Sequence, residues 1–223
     1  MQIQNRPSPP QLAIFQPETD LRSRWHALHQ EMLDQLERSM AAENYWLIFL
    51  LLGYELMLTC GVSHYLVEVV KLQSPRWPYL VLWSVQLLVS VATMRLIEGR
   101  STVEQSPYGP IVSRLGAIFI ILCWNIVGLN VLMGSNVFAL LPVLATLSSF
   151  FFLTLAAIFS PKFVAAALML FATGTAIALY PHYGFLLYGA GWLIVLEAMA
   201  VILRRRQARW LSRSPAAGGP HGT

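Results

Sequence analysis

Charge is what this chain lacks most. Only 12% of its residues are Asp, Glu, Lys or Arg, about half the share of an average soluble domain. So few charges cannot cover a water-facing surface. The 56% hydrophobic content and mean hydropathy of +0.56 place the chain in the membrane class. Cysteine is nearly absent as well. Cys60 and Cys123 both lie inside apolar runs, so there is no CxxC, no multi-bridge scaffold and no thiolate zinc spacing. The chain also lacks HExxH, Walker A and GxGxxG patterns. GVSH at 61–64 and MGSN at 133–136 are not GxSxG elbows, and no nucleophile–base pair stands out. The net charge of +4 suggests nucleic acid at first sight. The basic residues instead flank apolar runs, as topology signals do, so the expected partner is a lipid bilayer and not a nucleic acid. The polar opening, followed by a long first apolar run, predicts no signal peptide.

What the chain has is apolar length. YWLIFLLLGYELMLTCGVSHYLVEVV, residues 45–70, is long enough to cross a bilayer, since ~20 residues at ~1.5 Å each match a core of ~30 Å. Five further runs of this kind follow, at about 79–98, 111–133, 137–159, 163–180 and 185–203. The expected fold is therefore all-α: a bundle of six transmembrane helices over residues 44–205.

The flanks complete the organisation. Residues 1–18 are proline-rich and aperiodic, which predicts a disordered arm. Over 19–43, Leu21, Trp25, Leu28, Met32, Leu36 and Met40 recur every three or four residues, the period of an amphipathic helix. Its polar face mixes Arg22, Glu31, Asp34, Glu37 and Arg38. A membrane-surface helix usually carries a cationic polar face, so the stripe is expected to meet a protein partner. Residues 206–223 read as a basic, mostly disordered tail.

Six spans put both termini on one side. Thirteen of the fifteen basic residues then share that side and only Lys71 and Arg76 lie on the other. The bias predicts cytoplasmic termini in a plasma (inner) membrane. The longest loop, the helix and the basic tail fall on that side, which makes it the expected side for a protein partner.

Two sets of polar residues stand out against this background. Glu55 sits near mid-membrane, with Glu197 and Arg95 toward the cytoplasmic end of their spans. Ionisable groups at this depth usually face protein or water. The three can form a proton- or cation-exchanging cluster with Glu55 as the exchanging carboxyl. A neutral Glu55 bonded to a neighbouring helix fits the same residues. The second set is His64 and Glu68, four apart on one helix face, with His182 in the turn between spans five and six. Two imidazoles and a carboxylate suit zinc or another transition metal. Haem ligation by His64 and His182 has no supporting motif, and no cofactor is otherwise expected.

Three function classes remain open on the sequence: a scaffold, sensor-input or accessory subunit of a membrane assembly, a small proton- or cation-coupled transporter or channel using Glu55 and Glu197, and an intramembrane enzyme. The first is favoured because chemistry is missing and the leading helix offers an exposed stripe.

Overall fold

The computed structural model describes residues 23–31, 45–70, 76–98, 109–133 and 137–213. Among these residues the structure is helical, with no strand. A short helix, α1, covers 23–31. Long helices follow: α2 (Tyr45–Glu68), α3 (Arg76–Glu98), α4 (Gly109–Met133), α5 (Val137–Ile158), α6 (Phe163–Leu179) and α7 (Gly184–Arg213), with a single 3-10 turn at Pro181–Tyr183 before α7. Helices suit long apolar runs, because each satisfies its own peptide groups where lipid offers them no partner.

Five of these helices, all but α6, are long and apolar enough to cross a membrane. The chain is accordingly compatible with a multi-pass membrane protein. At 17 residues, α6 spans ~25 Å, slightly under the ~30 Å hydrocarbon core. The last helix differs from its expected end at residue 203. It runs on to Arg213, because RRRQARW holds good helix formers and no breaker occurs before Pro215. The stripe ahead of the bundle is described only in part. Trp25 (66% exposed) and Leu28 (51%) are on α1 and open, while Leu21, Met32, Leu36 and Met40 lie outside the described residues.

Two helix pairs form the body. α2 packs most extensively on α7, α5 packs on α6, and α6 joins the pairs through α7. Between lipid-exposed helices burial of apolar area gives no drive, so close fit and interhelical hydrogen bonds must hold them. The residues show both. An added Cβ at Gly189 would come within 2.9 Å of Cys60 Cβ, and one at Gly53 within 3.1 Å of Leu193 Cδ1, so glycine lets α2 and α7 close on each other. The same device serves α5 and α6, where a Cβ at Gly174 would stand 3.2 Å from Ala145 Cβ. Of the small residues on α6, Ala167 and Gly174 are buried toward the bundle, whereas Ala165, Ala172 and Ala178 are exposed.

Hydroxyls add the second element. Ser149 Oγ donates to the Ala167 carbonyl at 2.8 Å, tying α5 to α6. Ser148 Oγ and Tyr188 Oη lie 3.4 Å apart between α5 and α7. The core fills with Leu141, Leu144, Leu170, Ile177 and Phe185. An aromatic run of Phe119, Phe151, Phe152 and Trp192 connects α4, α5 and α7. By contrast, α3 and α4 stand at the edge: only 11% and 6% of their apolar windows are buried within the chain.

Candidate functional site

The polar groups of the bundle fall at three places. The first is the α2–α3 contact. Glu55 is half-buried on α2 and its carboxylate accepts two hydroxyl bonds from α3. Thr93 Oγ1 donates to Oε1 at 2.6 Å and Ser90 Oγ donates to Oε2 at 3.0 Å. Gln86 Nε2 extends the chain by donating to Ser90 Oγ at 3.0 Å. Gln86, Ser90 and Thr93 share one face of α3 because their spacings of four and three match the helical period. The same seam continues toward the other end, where Tyr79 Oη donates to the Ser63 carbonyl at 3.3 Å. Within the described residues this network links two helices. An open groove of about 470 Å³ lies on the outer face of α2, lined by Tyr54, Met57, Leu58, Gly61, Val62 and Tyr65.

Arg95 and Glu197 do not join Glu55. Both side chains are exposed, and neither forms an ion pair or hydrogen bond among the described residues. The cause is angular. Arg95 follows Thr93 by two residues, or ~200° around the helix, so turning Thr93 to Glu55 turns Arg95 away. Glu197 follows Leu196, which packs beside Gly53 of α2, and the next residue lies ~100° further round.

The second place is therefore Glu197 itself. It sits on a face of α7 where Ile194, Val201 and Ile202 are also exposed. Its depth follows from helix rise: thirteen residues from Gly184 and seven before Arg204 put it ~20 Å from one end and ~10 Å from the other. Arg204 is engaged elsewhere, with its guanidinium carbon 5.2 Å from the centroid of the Trp46 ring on α2. That cation–π contact fastens the basic end of the α2–α7 pair.

The third place is the opposite end of the same pair. Here His64, Glu68 and His182 do come together. His182 Nδ1 stands 3.1 Å from Glu68 Oε1, with side chains 63% and 20% exposed. A carboxylate only accepts, so the imidazole nitrogen is the donor. The His64 ring meets His182 edge-on at 6.5 Å and stacks on Tyr183 at 6.3 Å. His64 Nδ1 is buried with no hydrogen-bond partner. Among the described residues no group of three or more His, Cys, Asp or Glu is arranged to hold a metal ion.

Sequence reasoning missed Ser90 and Thr93 as the groups that receive Glu55, and Tyr183 as the ring under His64. The first pair was findable. Gln86, Ser90 and Thr93 form a polar stripe at helical spacing inside an apolar run, which marks a helix-facing seam. Tyr183 lies among Tyr180, Tyr188 and Trp192, an enrichment of aromatics common at membrane interfaces that carries no pairing information. Comparison with protein-family models, curated proteins and solved structures finds no match for this chain.

Proposed function

We propose that this chain is a non-catalytic subunit of a membrane assembly, a six-span protein of the inner membrane with cytoplasmic termini, whose α7 receives a transmembrane segment of a partner. The observation that carries the proposal is the exposed Glu197 inside an apolar span. A carboxyl facing hydrocarbon lacks any partner and is costly. A neighbouring helix with an Arg, Lys or amide at the same depth removes that cost. The exposed Ile194, Val201 and Ile202 supply the apolar surround that such a helix would cover. Glu55 supports the same reading from the other direction, because its two oxygens are already taken by α3 hydroxyls.

The test is purification in gentle detergent followed by mass spectrometry. Wild type should bring a stoichiometric membrane partner. Glu197→Gln should keep it, since an amide still hydrogen-bonds, and Glu197→Lys should lose it while the chain still inserts. A partner retained equally by Glu197→Lys would overturn the docking role. Transport is the alternative reading, with Glu55 as the exchanging carboxyl. Proton-coupled flux in liposomes from the chain purified alone, abolished by Glu55→Gln, would put it first.

A further inference from the structure

We propose that the helix received by α7 is α3 of a second copy of this chain, with Arg95 of one copy facing Glu197 of the next. The identity of this occupant rests on the docking role of Glu197 proposed above. Depth comes first. Leu193 and Leu196 of α7 lie closest to Gly53 of α2, while Ser90 and Thr93 of α3 hold Glu55. Further along, Gly189 meets Cys60 and Tyr79 meets Ser63, so α2 runs antiparallel to both neighbours. A step from Glu55 back to Gly53 therefore carries α3 on from Thr93 to Arg95. Arg95 and Glu197 each stand within about two residues, or ~3 Å, of the level of Gly53. Copies inserted in one orientation thus bring an exposed cation and an exposed carboxylate to the same depth.

The surfaces around the two charges match as well. Antiparallel to the same α2, α3 and α7 are parallel to each other. On α3, Leu88, Ala92 and Arg95 are exposed; on α7, Ala190 is half-buried and Ile194 and Glu197 are exposed. Both sets step by four and then three residues, the spacing of facing positions in a parallel left-handed helix pair. With Arg95 set on Glu197, Ala92 falls opposite Ile194 and Leu88 falls opposite Ala190. A large side chain meets a small one at both levels, the kind of fit that lets helices close on each other in lipid. α3 has room for such a neighbour, since only 11% of its apolar window is buried within the chain.

The two charges belong to different contacts of each copy. Gly53 meets α7 and Glu55 meets α3, and these two residues point ~200° apart around α2. α3 and α7 therefore flank α2 on nearly opposite sides, with α2 between Arg95 and Glu197. Each copy offers α3 to one neighbour and α7 to another, a head-to-tail contact. An open row would leave one Arg95 and one Glu197 unmatched at its ends. Closure into a ring about the membrane normal satisfies every pair.

Capture between two differently tagged copies of the full chain, co-expressed and extracted in gentle detergent, tests the contact. Wild-type copies should recover each other. Arg95→Glu in both copies, or Glu197→Lys in both, should lower that recovery about tenfold or more, because like charges then face across the contact. An Arg95→Glu copy expressed with a Glu197→Lys copy should restore it, since every contact between the two kinds again joins opposite charges. That rescue separates a lost contact from a misfolded variant. Recovery unchanged by either substitution, or not regained in the mixture, overturns the proposal. If wild-type copies do not recover each other while a different membrane protein is held and is released by Glu197→Lys, the docking role of Glu197 stands and the second copy falls. If neither is held, both fall.

Discussion

Replacing Glu55 separates a structural carboxyl from an exchanging one. In Glu55→Leu both acceptors vanish, and with them the bonds from Thr93 at 2.6 Å and Ser90 at 3.0 Å. Bonds between helices within a membrane are worth about 0.6 kcal/mol on average and at most about 1.7. Losing two therefore costs about 1–3 kcal/mol. The figure stays at that level because the stranded hydroxyls have a local alternative. Each can turn to the carbonyl four residues back, as Ser84 does to Leu80 at 2.6 Å. Glu55→Gln keeps the shape and one accepting oxygen, and its amide can donate to the lone pair of the other hydroxyl. Its cost should stay within about 1 kcal/mol. The assay is reversible unfolding of each variant in mixed micelles with increasing SDS, alongside recovery of the partner complex. Structural glue predicts that Gln is tolerated in both measurements and Leu in neither. If Gln folds normally yet abolishes function, the reasoning fails and Glu55 is an exchanging group.

Two further outcomes follow from the packing and the charge bias. A Cβ at Gly191 would meet Thr173 Oγ1 at 2.5 Å, so Gly191→Ala should destabilise the α6–α7 contact by about 1–3 kcal/mol, and Thr173→Ala should restore most of the loss in the same unfolding assay. Gly61→Ala, where nothing stands within 4 Å, serves as the neutral control. For topology, single cysteines at Ser74, Ser135 and Tyr183 should react with an impermeant maleimide in intact cells and one at Ser101 should not; external labelling at Ser101 would refute the orientation read from the basic residues.

The helices were legible because membrane solvent imposes a length and composition on each one, and five of them are long and apolar enough to cross a membrane. Position along each helix was legible too. Counting residues brought His64 and Glu68 to the same end as His182, where they meet. Direction around the axis was not. Glu55, Arg95 and Glu197 were grouped by depth, yet Arg95 and Glu197 turn outward. The angle depends on which face each helix gives its neighbour. In α2 the apolar residues surround the whole helix, so the pattern favours no face. Only tertiary contacts, such as Gly53 against Leu193 and Thr93 against Glu55, fix that angle. The end of α7 was misread for a simpler reason. Loss of hydrophobicity at Arg204 marks where lipid ends, and helix formation does not depend on lipid.

The pairing of α2 with α7 has a consequence for how the protein is made. The helix that leaves the ribosome early finds its most extensive neighbour only in the last long helix. The roughly 115 residues between them take on the order of ten seconds to synthesise at about 5–20 residues per second. Through that interval Gly53 and Cys60 lack the Leu193 and Gly189 contacts that later cover them. Glu55 fares differently, because Ser90 and Thr93 arrive with the next helix and relieve its carboxyl early. A nascent chain halted before Gly184 would thus carry its costliest group already satisfied while its closest-fitting surface stood open. Quality-control machinery that samples exposed helix faces would meet the unfinished protein at that surface.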